Sequence, residues 1–218
     1  MDLDDRAGLK KRRGRPAKSA DTEDKRLALS LAALQVFGDK GFEGASLSQI
    51  ARLADTDVGL IRYYFGSKQA LWQGVISDLS SILGGELVAT IGDSGDDPVE
   101  NLRVVIRWFI MMSARRPYLS RIIAQEGNQA DGRAEFLAQQ LIAPFYELIT
   151  NLVRAAKKRA CIPDVDDRTL FFMITHGGSF PMSIPVITNE FPGDEICSNK
   201  ALNLHADSII KLIIRDEK

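Results

Sequence analysis

The stretch from Ser46 to Ser67 limits the fold of this chain more than any other, because it holds two short apolar-faced segments, each opened by a capping residue and separated by a few polar ones. Ser46 followed by Gln49 is a capping-box pattern, in which hydroxyl and amide reciprocally satisfy backbone N–H groups at a helix start. Leu47, Ile50, Ala51 and Leu53 then supply one buried face, and the helix stops near Ala54. Asp55-Thr56-Asp57 reads as a turn in which either Thr56 or Asp57 can cap the next helix, Val58 to Phe65. Gly66 breaks that helix and Ser67 caps a longer one beginning at Lys68. Two short helices joined by a tight turn form a helix-turn-helix, whose second helix lies in the DNA major groove while the first braces it. The same pattern also suits an ordinary three-helix bundle that makes protein contacts.

The remaining apolar positions recur at helical spacing, and no run of strand-like alternation repeats. A first helix is expected from Asp21 or Thr22, with Glu23 and Asp24 complementing its dipole, Leu27, Leu31, Leu34 and Phe37 on its apolar side, and Gly41 at its end. Gly84-Gly85 predicts a bend or an end in the fourth helix. Asp97, Pro98 and Glu100 open a helix to about Arg116, and Pro117 opens another to about Gly127. A long helix over 131–160 should be kinked at Pro144. Asp166 caps a helix through Leu170 to Ile174, residues 177–193 should be irregular, and a last helix covers about Cys197 to Ile214. The fold class is therefore all-α: a three-helix head over residues 21–66 and a larger helical body over 67–218, preceded by a disordered arm over residues 1–20. The longest unbroken apolar runs, Trp108 to Met112 and Leu170 to Ile174, are too short for a transmembrane helix, and the N-terminal residues lack the apolar core of a secretory signal. A cytoplasmic protein without membrane partners is expected. Cys161 and Cys197 lack metal-ligand spacing and read as packed or incidental thiols.

Net charge is −1, yet the charge is unevenly placed: Arg6 to Lys18 holds seven basic residues and no acid, whereas 21–66 is net −2. Such a block reads as a solvated tail, either a plain basic leader or one that binds nucleic acid. Within it, Arg13-Gly14-Arg15-Pro16 resembles the core of an AT-hook, whose arginines enter a narrow A/T-rich minor groove.

Leu47-Ser48-Gln49-Ile50-Ala51-Arg52-Leu53-Ala54 and Val58-Gly59-Leu60-Ile61-Arg62-Tyr63-Tyr64-Phe65-Gly66-Ser67-Lys68-Gln69-Ala70-Leu71-Trp72 closely resemble the tetracycline-repressor (TetR) family of bacterial regulators, and Ala32 to Phe37 with Lys40-Gly41-Phe42 fit its first helix. The resemblance covers about residues 24–72. It implies an all-α homodimer with a DNA-binding head and a divergent ligand-binding body. It also assigns roles: Lys68 and Tyr64 to phosphate, Ser46 to both its cap and phosphate, and Arg62 to a variable groove-facing position. From there Arg62 reaches either guanine O6 and N7 or a phosphate. Tyr63 contacts DNA or buttresses the head. Asp55 stands where the family usually has glycine and Thr56 where it has a small apolar residue, which leaves Thr56 free to face DNA. With Arg13 and Arg15, these residues make up the expected double-stranded DNA contact.

For the body, the resemblance implies that the last two helices, apolar on most sides, pair with their symmetry mates; packing within one chain is the alternative. Trp108, Met112, Gln125, Phe145, Phe172 and His176 are the candidate lining of a pocket for a small-molecule effector, with Met111, Ile123, Phe136, Tyr146, Arg107, Glu126 and Asn128 nearby. No cofactor and no metal site is expected. A repressor released by its effector is the leading reading; an activator, or a regulator answering to a protein, keeps the same fold. His176-Gly177-Gly178 resembles an esterase oxyanion-hole sequence, but there is no G-x-S-x-G motif and no βαβ pattern to carry it, so catalysis is not expected.

Overall fold

The computed structural model describes residues 18–215, and within them the chain is all-α. Helix α1 (Lys18–Gly44) begins just ahead of the expected start, since no breaker lies between Pro16 and the first apolar positions. Its regular part ends at Gly41, whose φ of 69° and ψ of 172° are open essentially to glycine alone, and a further turn follows. Helices α2 (Leu47–Leu53) and α3 (Val58–Phe65) lie where their caps predict, and α4 (Lys68–Gly92) starts on its Ser67 cap. The fourth helix runs unbroken through Gly84-Gly85, because Leu83 and Leu87 on either side are both buried and hold its register. α4 has the length and mean hydropathy (1.3) of a membrane span, but its apolar face packs on α1 and α5, and its Asp78 and Glu86 pair with Arg26 and Arg116.

α5 (Pro98–Arg115) and α6 (Pro117–Glu126) follow as expected. Beyond them the expected kinked helix is three pieces: α7 (Arg133–Leu137), a π-helical turn (Ala138–Ile142) and α8 (Ala143–Lys158). Pro144 explains the break, since it has no N–H for the carbonyl of Gln140 and its ring crowds that oxygen. The Ser80 hydroxyl of α4 donates to the Gln140 carbonyl instead, at 2.5 Å.

α9 (Asp167–Ser183), capped by Asp166, departs further from expectation, because it continues well into the stretch read as irregular and is followed by the short α10 (Pro185–Thr188). Two facts account for this. Gly178 lies against α5 so closely that a Cβ there would be 3.1 Å from Ile110 Cγ1, so helix packing selects the glycine. Pro181 deprives the Gly177 carbonyl of its helical donor, and His205 Nε2 sits 2.9 Å from that oxygen. A carbonyl only accepts, so Nε2 carries a proton. His205 belongs to α11 (Asn199–Ile213), which is capped by Ser198.

Two cores result. One joins the head to the body, running from Leu29, Phe37, Ile50, Ile61 and Trp72 to Met112, Leu119, Ile122 and Leu137. The other fills the body between α5, α8, α9 and α11, around Ile106, Ile149, Ile174 and Ala206. The first crosses the head–body boundary, and α1 packs more extensively on α6 than any other pair of helices does. The head is thus seated on α6 as well as on the start of α4.

Candidate nucleic-acid interface

The head builds its outer surface from local rules. The backbone N–H of Gln49 donates to Ser46 Oγ at 3.2 Å and that of Ser46 to Gln49 Oε1 at 3.0 Å, completing the capping box. The turn is closed by the Thr56 N–H on the Ala51 carbonyl at 2.9 Å. Asp55 carries the positive φ of 50° that explains why glycine would suit its position; aspartate is among the few side chains that tolerate it. Asp57, rather than Thr56, caps α3, its Oδ1 accepting the Leu60 N–H at 2.9 Å. The resulting eight-residue helix is anchored by Ile61, which is 0% exposed, and ends on Gly66 at φ 79°.

Anchored in this way, α3 presents Arg62 and Tyr63 to solvent; Tyr63 is 80% exposed. Tyr64 lies half-buried between Tyr63 and Phe65, in edge contacts with both rings. Ser46 is exposed and Thr56 half-buried. Lys68, in the first turn of α4, donates from Nζ to the Glu43 carbonyl at 3.3 Å and lies 4.5 Å from the Phe42 ring centroid. The residues marked by sequence therefore lie at the starts of α2 and α4, in the turn before α3 and along α3 itself. Arg13 and Arg15 lie outside the described residues.

The body residues divide. Trp108, Phe145, Phe172 and His176 belong to one chain of ring contacts that passes through Phe171 and runs from the half-buried Trp108 out to the exposed His176 on α9. Met112 is buried in the core that joins head and body. Gln125 lies at the joint itself, where its Nε2 donates to the Gly38 carbonyl at 3.0 Å. Arg107 pairs with Asp207 on one wall of a groove of about 540 Å³ between α5 and α11, which Arg103, Lys211 and Arg215 also line. One feature was not legible as a site residue: Arg133, buried against Glu126. The outward stripe of Phe172, Phe180, Leu204 and Leu212 lies on α9 and α11, the two helices whose apolar character the sequence marked.

Comparison with known proteins finds relatives of the head and of the whole fold. The model for bacterial regulatory proteins of the tetR family matches residues 31–75. The HTH-type transcriptional regulator RutR of Escherichia coli K12 is 29% identical over 185 residues, covering 82% of this chain and 85% of that protein. Among solved structures, HlyIIR, a hemolysin II transcriptional regulator, superposes with a TM-score of 0.69 at 20% identity, covering 89% of this chain and 99% of that one. AibR, in complex with isovaleryl coenzyme A and operator DNA, superposes with a TM-score of 0.65 at 20% identity, covering 87% and 97%.

Proposed function

Because the chain belongs to the tetR family of bacterial regulatory proteins, we propose that it is a cytoplasmic repressor, not an enzyme, that binds a palindromic operator as a homodimer and is released by a small-molecule effector. The observation that carries this reading is the anchoring of α3 through Ile61, which leaves Arg62 and Tyr63 outward on a short helix braced by α2. Ser46, Tyr64 and Lys68 fix the register on phosphates, where the dipole at the start of α4 adds to the lysine charge. Thr56, Arg62 and Tyr63 face the bases, and Arg13 and Arg15 enter the adjoining minor groove. The unpartnered apolar stripe on α9 and α11 is the surface through which two copies pair, setting two heads one DNA turn apart. The inner part of the aromatic chain, Trp108 and Phe145, with Met112 and Gln125 toward the head, receives the effector, and Phe172 and His176 at its exposed end close that site where it meets the paired stripe. AibR, solved with both an acyl coenzyme A and operator DNA, supports a body of this kind answering to a small molecule. An effector acts only through different affinities for the DNA-competent and incompetent states.

Selection from a pool of randomised duplexes tests the proposal. It should return an inverted repeat whose half-sites lie about one helical turn apart. Recovery of single, asymmetric sites would refute the paired-head reading. A thermal-shift screen of small metabolites should then find a compound that both raises the melting temperature and weakens binding to the selected duplex.

A further inference from the structure

Where α6 and α7 meet the end of α1, Glu126 and Arg133 are each 4% exposed. Arg133 Nε lies 2.7 Å from Glu126 Oε2, a contact in which the N–H and the oxygen are not aligned as a hydrogen bond. The other end of the guanidinium is shared between two further carboxylates, with Nη1 2.8 Å from Asp131 Oδ2 and 3.0 Å from Glu43 Oε1. Its central carbon is 4.4 Å from the Phe42 ring centroid. Glu126 in turn accepts the Phe42 backbone N–H on Oε1 at 2.7 Å. Body residues therefore hold Phe42 by its backbone and ring and Glu43 by its carboxylate. The same two residues seat Lys68, through the Glu43 carbonyl and the Phe42 ring. Only a planar, multi-donor cation can bridge three carboxylates and a ring face at once.

We infer that Arg133 is a positioning residue for DNA binding: from the body it fixes Phe42 and Glu43, and through them the placement of Lys68. The inference rests on the reading of Lys68 as a phosphate contact. Gly41 supplies the bend that brings Phe42 and Glu43 back onto α6, and the Gln125–Gly38 bond holds the preceding turn. A displacement of α6 against α1 breaks the Glu126–Phe42 bond and withdraws the seat of the lysine, which gives the body a direct mechanical hold on one phosphate contact.

The experiment uses the full chain and a mixed-sequence duplex, with affinity followed by fluorescence anisotropy over a salt series. Phosphate contacts are sequence-independent, so no operator is required. Each lost contact lowers the slope of log affinity against log salt by about 0.9, so the weakening between about 50 and 200 mM salt becomes about 3.5-fold smaller per contact. Lys68→Ala should show this change. Arg133→Met should show it too, and the double substitution should add nothing to Lys68→Ala. Because Arg133→Met strands a buried carboxylate, the pair Arg133→Met/Glu126→Gln is measured in parallel. It removes both charges and retains a side-chain oxygen for the Phe42 N–H, and a thermal melt verifies that it is folded. A purely structural role lowers the melting temperature without touching the salt slope. Arg133 variants with the wild-type slope, and losses that add to those of Lys68→Ala, would overturn the inference. A wild-type slope in Lys68→Ala would overturn the phosphate assignment and the inference with it.

Discussion

At the scale of single residues, the head sorts its contacts by chemistry. Arg62 carries donors and stands outward, whereas Tyr64 and Lys68, the proposed phosphate contacts, are tied to their neighbours. Arg62→Ala should thus flatten base preference at one position of each half-site, at about 1–3 kcal/mol of discrimination. Tyr64→Phe and Lys68→Ala should weaken binding to every sequence alike. Titrations against the selected duplex and its single-base variants separate the two, and an Arg62→Ala protein with unchanged base preference would remove that residue from readout. Gly41 belongs to the same scale. Its dihedral angles exclude side chains, and a Cβ there would lie 2.7 Å from Gln125 Oε1, so Gly41→Ala should cost about 1–3 kcal/mol in denaturant unfolding. The caps Ser46, Asp57 and Ser67 were legible because each acts within three residues of itself. Arg133 was not, since its Glu43 partner is 90 residues distant and nothing local marks an arginine for burial.

At the scale of the helix, the two interior prolines show one solution applied twice. Each removes a donor, and each orphaned carbonyl is met by a side chain from another helix: Ser80 for Gln140 and His205 for Gly177. Sequence placed the break at Pro144 but not its partner, and it read residues 177–193 as irregular because proline and glycine weigh heavily in local rules. Packing of Gly178 on Ile110 and Phe109 overrides those rules. Ser80→Ala should cost about 0.5–1 kcal/mol in the natural background and close to nothing beside Pro144→Ala, where a backbone N–H returns to the same carbonyl. A double-mutant cycle of unfolding free energies checks it. Helix caps also fix an acid limit. Asp166 is held below the usual carboxylate range, first by the Thr169 backbone N–H and then by the Thr169 hydroxyl. Asp97 is lowered chiefly by the Val99 backbone N–H, with Glu100 and Arg159 assisting against desolvation. A carboxylate whose folded pKa lies below its unfolded value contributes its stability above the unfolded value and loses it as pH falls through the folded one. Stability should therefore decline below about pH 4, and Asp166→Asn, which keeps an acceptor without the titration, should make that decline shallower in acid unfolding curves.

At the scale of the whole molecule, the outstanding surface is apolar. Phe172, His176 and Phe180 on α9, and Leu204, Ser208 and Leu212 on α11, recur at four-residue spacing, so each set forms a stripe. Four of these six side chains are large and apolar, and Leu212 is 80% exposed. The sequence reading that these helices are apolar on most sides follows from this, since one side of each fills the body core while the other remains open. Exposed apolar stripes of this extent mark an interaction surface, and the proposed homodimer gives them their partner. Leu204→Glu separates the two demands on the helix. At 63% exposure the side chain contributes little to its own subunit, so the melting temperature of the isolated chain should hardly move. Charge facing its symmetry mate should instead drive dimer to monomer in sedimentation experiments. Losing the second head removes the advantage of linkage, so affinity for the full inverted repeat should fall by about 100-fold or more, while affinity for one half-site stays close to that of a single wild-type head. A Leu204→Glu protein that remained dimeric and bound the full repeat as tightly as wild type would show that the two copies meet elsewhere.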